Sequence, residues 1–328
     1  GFAWDLKGTG ETVLRGGVGM YRYHEPQLIW SDLLEVGAGA RTYDAPGGLT
    51  LAQIDALAGS GNLVFGGRAI DINDNGQPLA YNWSLTLNQK LPWSTNIEVG
   101  YVGNKQDNIV NTDIANLNAV PLYSMLDNPT GNENLQRPLQ AYGDLQVYRH
   151  TSYSNYHALQ TLLSRQRGNF NFTAAYTFSK TLGIRSGSTG TATSGSPSEY
   201  VLPARDYVYG VLGSDRSHVA SLSFSWMLKE FKDNKALDLF LGGWQFAGVA
   251  TYVSAPPLQA SANNNFDVQG TNAAGVEINN RNINGTTSID PFPVLTCDPS
   301  KDVPSGFMFN TACFAAPSFS GLATVTDL

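Results

Sequence analysis

Alternation of apolar and polar residues with a period of two is the dominant pattern along this chain. From Leu79 to Lys90 the odd positions are apolar or aromatic, whereas the even positions are mostly Asn, Ser and Thr. The alternation is clearest from Phe170 to Lys180. A period of two is typical of β-strands that have one apolar and one polar face. The pattern predicts about eight strands, at residues 2–6, 12–23, 79–90, 96–105, 156–167, 169–181, 216–228 and 242–254.

The lengths of the strands and of their connections indicate a membrane protein. Most predicted strands have about ten residues, within the roughly 9–11 that a transmembrane β-strand needs, whereas ordinary strands average about 5–6. Short turns join the strands of three predicted hairpins, and a longer connection at residues 229–241 joins those of the fourth. Short turns at one end and long loops at the other are typical of outer-membrane barrels. The long loops fall at residues 24–78, 106–155, 183–215 and 255–328.

We therefore predict an all-β fold, an antiparallel transmembrane β-barrel of which these strands form a part, with the long loops on the extracellular side. Hydrocarbon cannot satisfy polar side chains, so the polar row of each strand must face the lumen and the apolar row must face lipid. The predicted lumen-facing residues are Asp5, Arg15, Asn82, Thr86, Glu98 and Thr173. The predicted lipid-facing residues are Trp83, Leu85, Phe172, Tyr176, Phe224, Trp226 and Trp244.

Composition is consistent with this prediction and excludes several other classes. Charged residues make up 14% of the 328 residues, against about 25% in an average soluble domain. The formal net charge of −7 gives no basic footprint for nucleic acid. No apolar run approaches the roughly 18 residues of a spanning helix, and no signal-peptide pattern is visible. Because the sequence opens within a strand-like segment, we expect it to be a fragment.

Two cysteines, Cys297 and Cys313, lie 16 positions apart near the end of the sequence. They are either two buried thiols or a disulfide that closes a surface loop. No third Cys or His nearby completes a metal set, and the residues between them are loop-like, so we favour the disulfide. A disulfide implies an oxidising compartment.

We find no sequence pattern that predicts catalysis or a cofactor. The four histidines have no metal-ligand spacing, and no Ser lies in a nucleophile elbow. We therefore expect neither an enzyme nor a bound metal or cofactor. Residues 71–76 match the first half of a calcium loop, but Asn82 stands where a bidentate Glu belongs, so calcium binding stays open. Lys180 ends an apolar row at the loop side, where its ammonium can reach a lipid phosphate.

Several motifs, in order along the chain, resemble the barrel of TonB-dependent outer-membrane receptors of the Oar-like kind. They lie at residues 1–5, 12–21, 154–160, 172–180, 215–219, 242–245 and 309–314. The resemblance implies a barrel of about 22 strands around an internal plug, which imports scarce or bulky nutrients with energy from the TonB complex. The plug, the TonB-contacting box and the final aromatic-ended strand are not visible here, so we expect the sequence to be about a third of such a barrel, from its C-terminal part.

The resemblance implies an outer-membrane receptor in the bacterial outer membrane, whose long loops bind an extracellular substrate of unknown identity that is then imported through the lumen. The implied partners are outer-membrane lipid, the substrate, and the TonB complex through a plug domain that is absent from this chain. An alternative is a secreted or surface β-sandwich that acts as an adhesin or ligand-binding module. In a sandwich the apolar rows would pack against a second sheet. A complete eight-stranded barrel is disfavoured by the missing ends and the very long loops.

Overall fold

The computed structural model contains one large β-sheet and two small ones. Fourteen strands are present in the part of the chain that the structure describes. The structure describes residues 1–23, 50, 52–53, 56, 65–71, 73–111, 116–129, 131–140, 142–184, 200, 209–229, 239–240, 242–257, 270–271, 275–278, 282 and 294–315.

Eight strands form the path of the large sheet, and each pairs with its neighbours in antiparallel orientation. Their order is β1-β2-β4-β5-β6-β7-β9-β10, and the sheet is not closed. This is the architecture of a partial barrel, as the alternation predicts. The eight strands are β1 (Phe2–Asp5), β2 (Thr12–Arg22), β4 (Leu79–Leu91), β5 (Thr95–Asn111), β6 (Tyr142–Arg165), β7 (Phe170–Ile184), β9 (His218–Met227) and β10 (Gln245–Val253).

The remaining elements are short and lie in the predicted loops. β3 pairs with β6 in parallel, β8 pairs with β7, and β11–β12 and β13–β14 form separate two-stranded sheets. Their bounds are β3 (Phe65–Ile70), β8 (Tyr209–Val211), β11 (Gly270–Thr271), β12 (Glu277–Ile278), β13 (Val294–Leu295) and β14 (Phe314–Ala315), and the 3-10 helices are Glu133–Gln136 and Thr311–Cys313. Within the described ranges no helix has the length and apolar character needed to cross a membrane.

The predicted loop boundaries at 106–155 and 183–215 are corrected by the structure. β5 continues to Asn111 and β6 begins at Tyr142, so the predicted loop at 106–155 is strand at both of its ends. β7 continues to Ile184 and pairs there with β8. The predicted loop at 24–78 contains β3, and the predicted loop at 255–328 contains β11 to β14. Period-two alternation arises where one face of a strand meets lipid and the other meets water or protein. Beyond the membrane both faces meet water or protein, so the alternation ends although the strands continue to pair.

The strand register places all the apolar rows on the same side of the sheet. Leu85 pairs with Tyr101, Tyr101 with Leu159, and Leu159 with Phe178. Directly opposed residues point to the same side, so we call this side the apolar face. The opposite side, the polar face, carries the polar rows. A slip of one residue at any pairing would have mixed the two rows.

Few residues on the apolar face are covered by protein. Val18 is 87% exposed and Phe178 is 50% exposed. Most of the buried apolar side chains lie instead near the ends of the strands that the long loops join, at Leu79, Val120, Met125, Tyr148, Ile184 and Leu212, and Ala158 is buried on the opposite, polar side. Among the described residues, therefore, no second sheet packs on the apolar face, as the sandwich alternative would require.

The strands are offset in the way that a tilted barrel wall requires. Tyr101 lies six positions beyond Thr95, the start of β5, and Tyr176 lies six beyond Phe170, the start of β7. The paired row through Tyr101, however, reaches Phe178 on β7. The paired row thus lies six positions beyond the start of β5 but eight positions beyond the start of β7, which is an offset of two residues over two strands. With a rise of about 3.3 Å per residue and strands about 4.8 Å apart, the offset corresponds to a tilt of about 35°, at the lower end of the range for membrane barrels.

Candidate functional site

The polar face is the candidate site, and the register brings its predicted residues, which lie on β1, β2, β4, β5 and β7, to one side of the sheet. Arg15 pairs with Thr86, and Asn88 pairs with Glu98. Asn82 pairs with Asn104, whose amide nitrogen donates to the Asn82 oxygen at 2.5 Å. Ser, Thr, Asn and Gln make up about half of the residues of this face. All six residues predicted to face the lumen, Asp5, Arg15, Asn82, Thr86, Glu98 and Thr173, lie on the polar face.

The charges on this face lie toward the ends of the strands that the short turns join, which we call the short-turn end. Glu98 is three positions from the start of β5, and its carboxylate accepts from the Asn88 side chain at 3.3 Å. Asp5 is the last residue of β1 and binds its own turn, because its carboxylate accepts the amide hydrogens of Gly10 at 2.6 Å and of Lys7 at 3.2 Å. Asp5 therefore orders the β1–β2 turn, a role that the alternation did not predict.

The residues predicted to face lipid lie on the opposite side. Phe172 pairs with Phe224, and Trp226 pairs with Phe246. Tyr176 pairs with Thr161 on the same face. Trp244 directly precedes the first residue of β10, so the predicted start of this strand at residue 242 is corrected to Gln245. The Trp244 carbonyl still accepts the Leu228 amide at 2.8 Å, so the residue continues the ladder into the turn.

Two equivalent Tyr–His pairs lie on the apolar face. The Tyr101 hydroxyl is 2.7 Å from His157 Nδ1, and the Tyr176 hydroxyl is 2.8 Å from His218 Nδ1. Each tyrosine lies six positions into its strand. The sequence places both histidines near strand–loop junctions, but their tyrosine partners could be found only from the register, which makes them diagonal neighbours.

The other end of the sheet, which we call the long-loop end, carries an ordered polar cluster centred on Asn118. This side chain is fully buried and its amide nitrogen lies within 2.9 Å of the carbonyl oxygens of Leu139, Tyr142 and Gly143. Arg137, also buried, donates from Nη1 to the Asn118 carbonyl at 2.6 Å and to the carboxylate of Asp144 at 2.8 Å. These bonds fix the segments 116–129 and 131–140 against the start of β6.

A second contact ties the segment before β4 to β6. The Asp74 carboxylate accepts from the His150 amide at 2.5 Å and lies 3.0 Å from His150 Nδ1, while Arg149 Nε lies 3.2 Å from the Asp71 carboxylate. Partial burial favours a higher pKa for Asp74, but the hydrogen bonds from the amides of His150 and Gly76 outweigh burial and hold the pKa below its ordinary value.

Asp71 and Asp74 each bind a residue of β6, Arg149 and His150 respectively. They do not combine with a third ligand into a metal site, because no group of three His, Cys, Asp or Glu residues suited to a metal occurs within the described ranges. The segment that contains Asp71 and Asp74, whose sequence matches the first half of a calcium loop, thus links two parts of the long-loop end.

Cys297 and Cys313 form a disulfide bond. The bond closes the segment between β13 and β14, where Val294 pairs with Ala315 and Leu295 with Phe314. The two cysteines therefore have the geometry that we favoured from the sequence, a disulfide that closes a loop. The small sheet formed by these strands is separate from the large one.

A single tilted antiparallel sheet, apolar and exposed on one side and polar on the other, defines the class of membrane-spanning β-barrels. A family model described as an outer membrane beta barrel domain matches residues 1–326. The chain therefore belongs to this family, and its place is the bacterial outer membrane. No curated protein matches the chain.

Proposed function

We propose that the chain forms part of the barrel of a TonB-dependent receptor that imports an extracellular substrate and has no enzymatic activity. The single observation that carries this proposal is the polar face, which runs across the membrane-spanning part of the strands without a register shift, since the shifts between β5 and β6 lie beyond Gln106. A face of hydroxyls and amides can exchange hydrogen bonds with a moving polar solute or with water. The Oar-like motifs support the assignment to this receptor class.

The lining favours polar solutes of low charge. In the half of the polar face toward the long-loop end, the facing positions on β4, β5 and β7 include Asn82, Asn104 and Thr177, none of which is charged. The charged residues Arg15 and Glu98 lie nearer the short-turn end. The long-loop end, ordered around Asn118, forms the outer entrance of the proposed path.

The proposal is tested with the full-length natural protein, purified from the outer membrane, and the periplasmic domain of TonB from the same bacterium. We expect saturable binding between the two, and no binding to an unrelated outer-membrane barrel that serves as the control. In cells, deletion of the gene and deletion of TonB should abolish uptake of the same nutrients. Absence of binding, together with uptake that persists without TonB, would overturn the proposal and leave a passive channel or an adhesin.

A further inference from the structure

The apolar face changes to cationic at one depth on two strands. Lys105 lies ten positions beyond Thr95, the first residue of β5, and Lys180 lies ten positions beyond Phe170, the first residue of β7. Ten residues at about 3.3 Å, in a strand tilted by about 35°, rise about 27 Å along the membrane normal. The apolar band of an outer-membrane barrel is about 25 Å tall. Both ammonium groups therefore lie at the headgroup level on the side of the long loops.

A histidine joins the two lysines across neighbouring strands. His157 on β6 pairs directly with Lys180 on β7 and with Gly103 on β5, two residues before Lys105. Directly opposed side chains have Cβ atoms about 4.5–5.5 Å apart. Because Nδ1 of His157 is bound to the Tyr101 hydroxyl, Nε2 is the nitrogen that remains for a lipid headgroup. Three adjacent strands thus present hydrogen-bond donors at one level.

Carboxylates hold the two lysines from the side of the loops. Lys105 Nζ is 2.7 Å from the carboxylate of Asp107, two residues further along β5, and Lys180 Nζ is 3.4 Å from that of Asp215. The Asp215 side chain is 3% exposed and also accepts from the Thr181 amide and the Ser217 hydroxyl. The lysine side chains are 44% and 47% exposed. An ammonium has three donors, so each lysine keeps donors for a group that approaches from the membrane.

We propose that Lys105, His157 and Lys180 form a binding site for the phosphate of an anionic lipid headgroup in the leaflet next to the long loops. The lysine stems lie along the apolar face, where acyl chains pack, and the ammonium groups reach the phosphate level. Charge attraction and hydrogen bonding then act on the phosphate, while Phe178 and Leu159 contact the chains below. The site is independent of substrate transport and rests on the outer-membrane location alone.

The test is native mass spectrometry of the full-length protein in detergent with added phosphatidylglycerol, and with diacylglycerol as the phosphate-free control. We expect one phosphatidylglycerol to remain bound where diacylglycerol does not. The double variant Lys105→Gln, Lys180→Gln should bind it roughly tenfold more weakly, because each lysine near an anionic surface contributes a several-fold gain. Lys90→Gln, a matched charge loss on the polar face at the short-turn end, should bind as the wild type does.

Further variants and a competition experiment distinguish loss of lipid binding from loss of folding. Lys105→Arg, Lys180→Arg retains the charge and should retain the lipid, and His157→Gln should weaken binding several-fold; these variants carry the test if the double Gln variant does not fold. Millimolar inorganic phosphate should not displace the lipid. Equal lipid binding by the wild type and the folded Gln variant, or full displacement by inorganic phosphate, would overturn the proposal.

Discussion

The indole of Trp83 lies across the backbone of Gly103, the residue directly opposite it on β5. A Cβ atom added to Gly103 would overlap the Trp83 ring. The same relationship occurs at Phe2 over Gly16 and at Phe224 over Gly248, where the added Cβ would lie 2.6 Å and 2.9 Å from the ring. In each pair the ring covers backbone that glycine leaves bare, on the apolar face. Aromatic residues opposite glycine are a known way to stabilise a strand that contains glycine.

Substitution of Gly103 by Ala should displace the Trp83 ring and destabilise the folded barrel by about 1–3 kcal/mol, the usual cost of overpacking. The measurement is the urea concentration at which half of the protein is unfolded, detected by heat-modifiable gel mobility. Gly213→Ala is the matched control, because a Cβ at Gly213 meets nothing within 4 Å. If both variants unfold at the same urea concentration as the wild type, the contact of the Trp83 ring does not depend on glycine at position 103.

The two faces of β4 should tolerate charge differently. Leu85 lies six positions from the short-turn end of its strand, near the middle of the span, so Leu85→Arg should cost about 2–4 kcal/mol and impair assembly. Ser84→Arg, one residue back on the polar face and opposite the uncharged Gly17 and Val102, should be tolerated.

Depth gives a second comparison for the same assignment. Phe172 lies two positions from the start of β7, so Phe172→Arg should cost only about 0–1 kcal/mol, and Thr173→Arg should again be tolerated. Equal damage from Leu85→Arg and Ser84→Arg, in assembly assays in cells, would contradict the assignment of the faces.

The link between Asp74 and His150 should persist in mild acid. Because hydrogen bonds lower the pKa of Asp74 below its ordinary value of 3.8, the contribution of Asp74 to stability is present above pH 3.8 and is lost as the pH falls through the lower pKa of the folded form. Hydrogen exchange at the His150 amide should be slow at pH 5 after correction for the intrinsic rate.

Asp74→Asn should speed that exchange at pH 5 by roughly tenfold or more, since a hydrogen bond to a charged group contributes about 1.5–3 kcal/mol. The exposed residue Asp127 provides the control, because Asp127→Asn should leave the rate unchanged. Protection of the His150 amide that is lost already at pH 5 in the wild type would contradict the proposed link.

Reduction of the Cys297–Cys313 disulfide should open the β13–β14 segment while the large sheet remains folded. A closed loop of about 15 residues gains about 3 kcal/mol from the cross-link, and the small sheet shares no strand pairing with the large one. Lys301 is solvent-exposed with the disulfide intact, so dithiothreitol should speed trypsin cleavage at Lys301 by freeing the backbone around it, without a change in heat-modifiable mobility. Cys297→Ser, Cys313→Ser should be cleaved without reductant; loss of the folded mobility in either case would show that the two parts are coupled.

Most of the fold in the membrane was predictable, because a strand with one face toward lipid and the other toward water alternates apolar and polar residues with a period of two. The rows that contain Leu85 and Phe172 alternate with those that contain Thr86 and Thr173, and the paired strands keep these rows apart. The extension of β6 to Tyr142 and the parallel pairing of β3 were not predictable, because beyond the membrane both faces of a strand meet water or protein and the alternation disappears.

The sequence by itself determined the strands of the membrane region and their two faces, since both depend on residue type and spacing along the chain, whereas for the two cysteines it favoured a disulfide without excluding separate thiols. The tertiary structure decided which residues meet across strands: Trp83 with Gly103, Tyr101 with His157, and His157 with Lys180. These contacts depend on the relative offset of neighbouring strands. That offset is fixed by the turns, by the pairing of all strands at once and by the tilt of the sheet, and no single segment encodes it.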